Sequence, residues 1–376
     1  MHATLSTDEL SAWIRLSLEP GLGPAQARSL LAAIGLPQDI YSLSAASLSK
    51  FVPHDMARQL RNDPGDDIQQ AIHNTLAWCR QANHHILTLA DSSYPRSLLD
   101  IHDPPLLLYV NGNPAHLGKP IISIVGARSA SPGGVDNATA FARHLAEQGW
   151  CIASGLALGI DTAAHEGALL AGPSGGGTIA ILGTGIDIVY PARNLQLAHR
   201  IAQDGVLISE FPLGTRALPY QFPKRNRLVA GIAKGVLVVE AAKQSGSLIT
   251  ARLASEMGRE VFAIPGSIHS PLSRGCHALI RQGAKLVESA EDIREELGSA
   301  GVPGAPEPAK GRPRNKKAVT GLMGQRVLEA LGYDPVHLDT LQERSRLDMP
   351  ELTASLLELE LQDMVVRLDG GCFQRR

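Results

Sequence analysis

The chain has 376 residues, of which 44% are hydrophobic and 4% aromatic, and its formal net charge at pH 7 is −2. This composition is typical of a globular protein with two or three domains, and the balanced charge excludes a chain that is polycationic as a whole. A nucleic-acid site must therefore be a local basic patch. No run of about 18 apolar residues occurs, so we expect no membrane span.

The cysteines and the first residues indicate a cytoplasmic protein. The four cysteines are far apart and form no CxxC pair, so neither a structural zinc site nor a disulfide framework is expected. The N-terminus MHATLSTDEL lacks the charged and then apolar pattern of a signal peptide. No HExxH or comparable spacing occurs, so we also expect no bound metal.

Residues 1–83 predict a small helical domain. Apolar positions between Leu10 and Leu18 fit one amphipathic helix, and further helices are expected over 25–34 and 68–82. The turn PGLGP at 20–24 resembles a helix-hairpin-helix, whose backbone amides can hold a DNA phosphate. A plain turn between two helices explains the same residues equally well, so both interpretations stay open.

From residue 84 to 297, apolar β-rich segments alternate with helical ones. Strands are predicted at 86–89, 106–110, 121–125, 151–153, 178–182, 206–208, 236–239, 261–264 and 285–287. Helices are predicted at 135–147, 162–170, 194–203, 225–233, 247–257 and 274–282. Apolar strands joined by helices indicate an α/β fold with a parallel sheet covered on both faces. Ligands of such sheets bind outside the carboxyl ends of the strands.

Two segments at predicted strand ends offer phosphate-binding groups. The first contains Gly126, Arg128 and Ser129, which supply an amide, a guanidinium and a hydroxyl. The second contains Ser154 and Gly155, which supply a hydroxyl and an amide. Because carboxyl ends of parallel strands share one edge, both segments are expected on one rim.

The segment FPKRNR at 222–227 adds three cations and an amide: Lys224, Arg225, Asn226 and Arg227. We expect a helix to begin at Arg225, where cations are poorly placed beside the positive end of the helix dipole. An anion held by the backbone amides and the three cations resolves this conflict. Phe222 and Tyr220 are candidates for stacking a base. Phosphate groups plus stacking favour single-stranded nucleic acid.

Enzymatic motifs are incomplete. The turn at Gly126 has an arginine where the second glycine of a dinucleotide fingerprint belongs, and the turn at Gly183 lacks the third glycine, so we expect no nicotinamide cofactor. The GxSxG match at 172–176 precedes a strand instead of following one. Asp161 and His165 are one helical turn apart, and helix capping explains Asp161 better than catalysis. We therefore expect no catalytic residue and no cofactor.

The rest of the chain predicts a tether and a small domain. Residues 298–320 are rich in Gly, Pro and Ala, and they end in a basic cluster between Lys310 and Lys317, typical of a flexible linker. Residues 321–376 predict three helices and a hairpin, which resemble a winged helix. The helix expected at 350–361 carries three Glu and no Lys or Arg, so a protein contact or a vestigial role is favoured over groove reading.

Seven sequence blocks occur in one order along the chain: GARSAS, SGLALGIDTAAH, GTGIDIVYPARN, SEFPLG, FPKRNRLVAG, VVEAAKQSGSLITARLA and VFAIPG. Together they resemble the DNA-processing protein A family (DprA, also called Smf). The resemblance covers about residues 85–287. It implies an extended Rossmann-like core, an N-terminal SAM-like domain and a C-terminal winged-helix-like domain. It also implies a homodimer through the Rossmann-like domain that binds and protects incoming single-stranded DNA and loads RecA recombinase in natural transformation.

Carried over by position, the resemblance assigns phosphate binding to Arg128 and to the basic cluster at 224–227. Members can have a lysine directly after the YP pair, where this chain has Ala192, and Arg193 beside it is the candidate substitute.

Two alternatives remain. A nucleotide-processing enzyme of the LOG-like Rossmann class would use a PGGxGTxxE block, and the block at 175–178 lacks its proline and its glutamate. A transcription or partner-docking role would act through residues 321–376.

Overall fold

The computed structural model describes residues 5–298, 300 and 322–375. They form two compact units, one within residues 1–130 and 134–302 and the other within 131–133 and 303–376. Apart from residues 298 and 300, the predicted linker with its basic cluster lies outside the described residues.

Six helices open the first unit. They are α1 (Thr7–Leu18), α2 (Pro24–Ile34), α3 (Pro37–Ser42), α4 (Ala45–Leu48), α5 (His54–Arg61) and α6 (Asp66–Trp78). Ser6 and Glu9 form a capping box at the start of α1, which fixes where this helix begins. Ile14 of α1 and Trp78 of α6 share a hydrophobic core with Leu107 and Tyr109 of the sheet. The predicted helical domain thus packs directly on the strands that follow it.

Nine strands of the described chain form one sheet. They are β1 (His84–Thr88), β2 (Leu107–Gly112), β3 (Ile121–Gly126), β4 (Cys151–Ser154), β5 (Thr178–Ile181), β6 (Val206–Ser209), β7 (Gly235–Val239), β8 (Glu260–Ala263) and β9 (Lys285–Leu286). Their order is β1-β2-β6-β5-β4-β3-β7-β8-β9. All nine predicted strands are present, and the pairs from β6 to β9 are parallel, as expected.

The first two strands have a different direction, because β1 pairs antiparallel with β2 and β2 antiparallel with β6. Parallel neighbours need a long crossover, usually a helix. The connection at 89–106, which is described throughout, contains only a short 3-10 turn at Arg96–Leu99. The parallel arrangement, predicted for strands joined by helices, is therefore confirmed from β6 to β9 and does not extend to this edge.

In the described part of the first unit, seven helices follow β3. They are α7 (Pro132–Glu147), α8 (Ile160–Leu170), α9 (Leu195–Asp204), α10 (Gln221–Ile232), α11 (Gly246–Glu256), α12 (Arg274–Arg281) and α13 (Ala290–Leu297). Alternate residues of β7 enter two cores: Val236 and Val238 pack with α10 and α11, whereas Leu237 and Val239 pack with α7 and α8. This alternation follows from the two-residue period of a strand. Both sheet faces are covered, as predicted.

The second unit has the helices α14 (Leu322–Leu331), α15 (Leu338–Ser345) and α16 (Met349–Leu361), and the strands β10 (Val336–His337), β11 (Val365–Arg367) and β12 (Cys372–Arg375). The strand order is β10-β12-β11. Val327, Leu341, Leu356 and Phe373 belong to one hydrophobic core, which joins helices and strands. Asp348 and Glu351 form a capping box at the start of α16. The predicted three helices and hairpin are present.

Candidate nucleic-acid interface

A cavity of about 470 Å³ lies where β3 and β7 end, and we call it the carboxyl-end cavity. It contains six of the predicted site residues: Gly126, Arg128, Ser129, Phe222, Arg225 and Asn226. The sheet topology explains this convergence, because carboxyl ends of parallel strands meet at one edge. The structure thus brings half of the predicted set together.

Arg128 is exposed at the mouth of this cavity. Its loop is fixed by the amide of Ile160, which donates to the carbonyl of Ala127 at 3.1 Å. Gly159 lies against the same loop with a φ of +77°, and a Cβ there would lie 2.3 Å from the Ala127 oxygen. Within the part of the chain that the structure describes, the Arg128 side chain forms no hydrogen bond or ion pair. Its charge is therefore available to a ligand.

Arg225, in contrast, is 4% exposed. Its guanidinium donates to the carbonyl of Gly155 at 2.5 Å and to the carbonyl of Ile181. Burial lowers the pKa of Arg225 to about 10, while Asp161 opposes this shift. A Cβ on Gly155 would lie 2.5 Å from the guanidinium, so only glycine leaves room for this side chain. The sequence predicted that Arg225 is a cation free to bind phosphate. In the fold it instead holds two strand-end loops together.

The Ser154 and Gly155 groups predicted to face a ligand have internal partners as well. The Ser154 hydroxyl is buried and donates to the carbonyl of Ile124 at 2.6 Å. The Gly155 amide donates to the Asp161 carboxylate at 3.1 Å, and the Ala157 amide donates to it at 3.3 Å. Burial raises the pKa of Asp161, although Arg225 and these amides oppose the shift.

Arg227 is also buried, and its guanidinium forms ion pairs with Glu210 and, at 3.0 Å, with Asp103. Burial raises the pKa of Glu210, and the two cations Arg227 and Lys224 counteract it. Lys224 remains half-exposed, with its ammonium 3.9 Å from the Glu210 carboxylate and 5.3 Å from the ring centroid of Phe211. Of the three cations in FPKRNR, only Lys224 reaches solvent.

The helix that carries these cations begins earlier than predicted. Because α10 starts at Gln221, the prediction that it begins at Arg225 was wrong. Pro223 occupies its first turn, where a missing N–H costs nothing and the fixed φ suits a helix. The cations consequently lie beyond the amides at the helix start. Asn226 is half-buried, and its side-chain amide donates to the Gly246 carbonyl at 3.5 Å.

Aromatic rings line the neighbouring rim. Phe222 packs against Tyr190 with ring centroids 5.4 Å apart, and Tyr190 and Tyr220 are 52% and 68% exposed. A Cβ on Gly183 would lie 2.8 Å from the Phe222 ring, so this glycine admits the ring. Sequence reasoning missed Tyr190. Its signal was the YP pair at 190–191, three residues before the candidate Arg193.

Arg193 is exposed in a 3-10 turn, Ala192–Asn194, and does not line the carboxyl-end cavity. The next residue, Asn194, is buried and donates to the carbonyl of Leu156 at 2.9 Å. This bond ties the turn with Tyr190 and Arg193 to the loop after β4.

The start of α11 completes the cavity wall. Ser245, Gly246 and Ser247 line it, and the Ser247 amide donates to the Ser245 hydroxyl at 3.3 Å. A helix N-terminus presents amides and a positive dipole end to an anion. The sequence predicts a helix that begins here, but its first residues are not among the predicted site residues.

Asp161 and His165 occupy structural positions in α8. Asp161 is in the first turn after the N-cap Gly159, and its carboxylate accepts from loop amides rather than capping its own helix. His165 is fully buried, and its Nδ1 lies 2.8 Å from the Thr178 hydroxyl. Burial lowers the pKa of His165 to about 3, which keeps the ring neutral.

The family of DNA recombination-mediator protein A matches residues 85–298, and the DprA winged helix domain matches residues 312–371. The chain belongs to the DNA recombination-mediator protein A (DprA) family. The winged-helix prediction for the second unit is thereby confirmed.

Several DprA relatives support this membership. Protein Smf of Escherichia coli is 42% identical over 82% of this chain and 82% of its own length. DNA processing protein DprA of Streptococcus pneumoniae is 47% identical over 56% of this chain and 73% of its own. The X-ray structure of DprA from S. pneumoniae covers 76% of this chain and 97% of that one, with 36% identity and a TM-score of 0.66.

A DprA structure from Helicobacter pylori, described for its unique single-stranded DNA binding mode, covers 57% of this chain and 95% of that one, with 31% identity and a TM-score of 0.51. In this DprA-family chain, no helix among the described residues is long and apolar enough to cross a membrane. The same residues contain no group of three or more His, Cys, Asp or Glu side chains that could hold a metal ion.

Proposed function

We propose that this protein binds single-stranded DNA at the carboxyl-end cavity. The observation that carries the proposal is the exposed Arg128, which has no ion-pair or hydrogen-bond partner among the described side chains and shares one cavity with Phe222 and the start of α11. A guanidinium and helix N-terminal amides suit phosphate, and aromatic faces suit unpaired bases. The single-stranded DNA binding described for the H. pylori relative supports the same function.

In this proposal the residues have three roles: phosphate binding, base stacking and support of the rim. Arg128 and Lys224 provide positive charge for phosphates, and Ser129, Asn226 and the α11 amides add uncharged hydrogen-bond donors. Phe222, Tyr190 and Tyr220 provide surfaces on which bases stack. Arg193 adds a cation on the adjoining turn. Arg225 and Arg227 shape the rim from within, and Gly126, Ser154 and Gly155 provide the close backbone packing.

The salt dependence of binding to fluorescent oligo-dT tests this division. Each phosphate contact contributes a slope of about −0.7 in a log–log plot for a single strand. Arg128→Ala/Lys224→Ala should weaken binding and flatten the slope by about 1.4, because two contacts are lost. Lys50→Ala/Arg80→Ala, which removes two exposed cations elsewhere, is the matched control. An unchanged slope in the first variant would move the DNA away from this cavity.

We further propose that the protein forms a homodimer through its Rossmann-like domain, protects incoming single strands and loads RecA onto them in natural transformation. Membership of the DprA family supports this role. Two cavities in one dimer would engage one strand with higher avidity than either alone. Sedimentation of the purified chain tests dimerisation. Strand exchange by RecA on DNA coated with single-strand-binding protein, with and without this chain, tests loading.

The rival hypothesis of a nucleotide-processing enzyme gains no support from the geometry. The glycine block at 175–178 leads into β5 and so lies at the amino end of the sheet, away from the carboxyl-end cavity. Incubation with nucleoside monophosphates discriminates the two hypotheses, because release of free base would establish the enzyme.

A further inference from the structure

A second cavity, of about 440 Å³, lies at the opposite end of the same strands, and we call it the amino-end cavity. Its wall includes Ile121, the first residue of β3, and Lys234, which directly precedes β7. The carboxyl-end cavity is lined instead by Val125 and Gly126, the last two residues of β3. A six-residue strand spans about 17 Å, so the two cavities are separate sites.

The amino-end cavity is strongly cationic. Arg96, Lys119 and Lys234 line it, and its wall contains no Asp or Glu. Arg96 and Lys234 are exposed, and neither side chain has an ion-pair or hydrogen-bond partner in the described part of the chain. The whole chain carries a net charge of −2, so this local excess does not reflect general basicity. Like charges in one concavity repel each other, and an anion relieves this repulsion.

Two of the cations are held in place by the fold. The Lys119 ammonium donates to the carbonyls of Gly175 and Gly176 at 3.2 and 2.9 Å. An ammonium has three donors, so one remains for a ligand. The Lys234 ammonium lies 5.6 Å from the ring centroid of the buried Trp150, within cation–π range.

Arg96 is positioned through its neighbour. The Ser97 hydroxyl donates to the carbonyl of Ile232 at 2.9 Å and thereby ties the 3-10 turn that carries Arg96 to the end of α10. Ser92 and Ser93 line the same cavity and add hydroxyl donors. Three cations from three chain segments and several hydroxyls thus surround a volume suited to a small ligand.

We propose that the amino-end cavity binds a phosphate group, either of a small phosphorylated molecule or of a DNA backbone. Phosphate offers several anionic oxygens, which match one guanidinium, two ammonium groups and hydroxyl donors. This site is independent of the single-stranded DNA site proposed at the carboxyl-end cavity, because it shares no residue with it.

Calorimetric titration of the full chain with pyrophosphate tests the proposal. Arg128→Ala/Lys224→Ala serves as the background, so that binding at the carboxyl-end cavity contributes little. Adding Arg96→Ser/Lys234→Ser should weaken pyrophosphate binding by about 100-fold, or about tenfold per lost charged hydrogen-bond donor. Lys119 stays unchanged, because its bonds to two carbonyls make a substitution there disruptive. Adding Lys50→Ser/Arg80→Ser instead, with the same loss of charge, should leave the affinity unchanged.

The proposal is overturned if the background protein shows no saturable pyrophosphate binding, or if Arg96→Ser/Lys234→Ser binds it equally well. If the proposal holds, the salt dependence of oligo-dT binding identifies the source of the phosphate. A log–log salt slope that is flatter by about 1.4 in Arg96→Ser/Lys234→Ser than in the parent chain indicates a DNA backbone that reaches this cavity. An unchanged slope, together with lost pyrophosphate binding, indicates a small phosphorylated molecule.

Discussion

Replacing the buried Arg225 with methionine should destabilise the first unit rather than simply weaken DNA binding. The guanidinium donates to the carbonyls of Gly155 and Ile181, and it is the principal cation that counters the burial of Asp161. Methionine fills a similar volume but leaves both carbonyls and the carboxylate without this partner. Leaving a buried carbonyl without its donor costs about 1–3 kcal/mol, so the two carbonyls together account for about 2–6 kcal/mol. We therefore expect the free energy of unfolding to fall by about that amount.

Urea unfolding followed by tryptophan fluorescence is the appropriate assay. The three tryptophans, Trp13, Trp78 and Trp150, all belong to the first unit, so the signal reports on that unit alone. Arg128→Met is the matched control; because Arg128 is exposed, its free energy of unfolding should stay within about 0.5 kcal/mol of the parent.

A double-mutant cycle with Asp161→Asn sharpens the test. The neutral amide no longer needs a cation, so Arg225→Met should cost less in that background. The structural role of Arg225 is refuted if Arg225→Met unfolds at the same urea concentration as the parent while oligo-dT binding collapses. That result would make Arg225 a direct phosphate ligand.

Three further predictions concern single positions. The pKa of His165 is about 3 in the fold, below its value near 6.5 in an unfolded chain, so its contribution to stability is complete above pH 6.5 and is lost as the pH falls towards 3. The free energy of unfolding, measured by urea titration at several pH values below 6.5, should fall by up to about 1.4 kcal/mol per pH unit, and His165→Gln should reduce this pH dependence. Gly155→Ala should destabilise the first unit by about 1–3 kcal/mol, as is typical of overpacking, because its Cβ would lie 2.5 Å from the Arg225 guanidinium. A variant as stable as the parent in urea would contradict this packing. Tyr190→Ala should weaken oligo-dT binding by about 1–3 kcal/mol with little change in unfolding, as expected for one lost stacking surface, and Leu195→Ala at a comparably exposed site should not.

The sheet was predictable because its central strands are almost entirely apolar. Every predicted strand is present, with ends displaced by one or two residues, since the side chains at the ends meet water or a turn. The antiparallel edge was not predictable from apolar runs, because direction depends on the connection. The connection at 89–106 lacks a crossover helix, and this absence was the available signal.

The convergence of Gly126, Arg128 and Phe222 at one edge was also predictable, since it follows from parallel topology. The burial of Arg225 and Arg227 was not. Arg225 meets the carbonyls of Gly155 and Ile181, and Arg227 pairs with Glu210 and Asp103; these partners lie in other loops and strands, so no local sequence pattern reveals them. A charged side chain was expected to be exposed because an unpaired buried guanidinium is costly, and these tertiary hydrogen bonds and ion pairs offset that cost.

The geometry of α10 explains why adjacent cations have different roles. Successive residues turn by about 100° around a helix, so Arg225 and Arg227 lie on nearly opposite sides. An exposed helix would bury at most one of them, but α10 is buried on most sides, as Leu228, Val229 and Ile232 show. Arg225 therefore meets the loop after β4, Arg227 meets Glu210, and only Lys224 reaches solvent. Substituting Lys224 consequently tests affinity, whereas substituting Arg225 or Arg227 tests the shape of the rim.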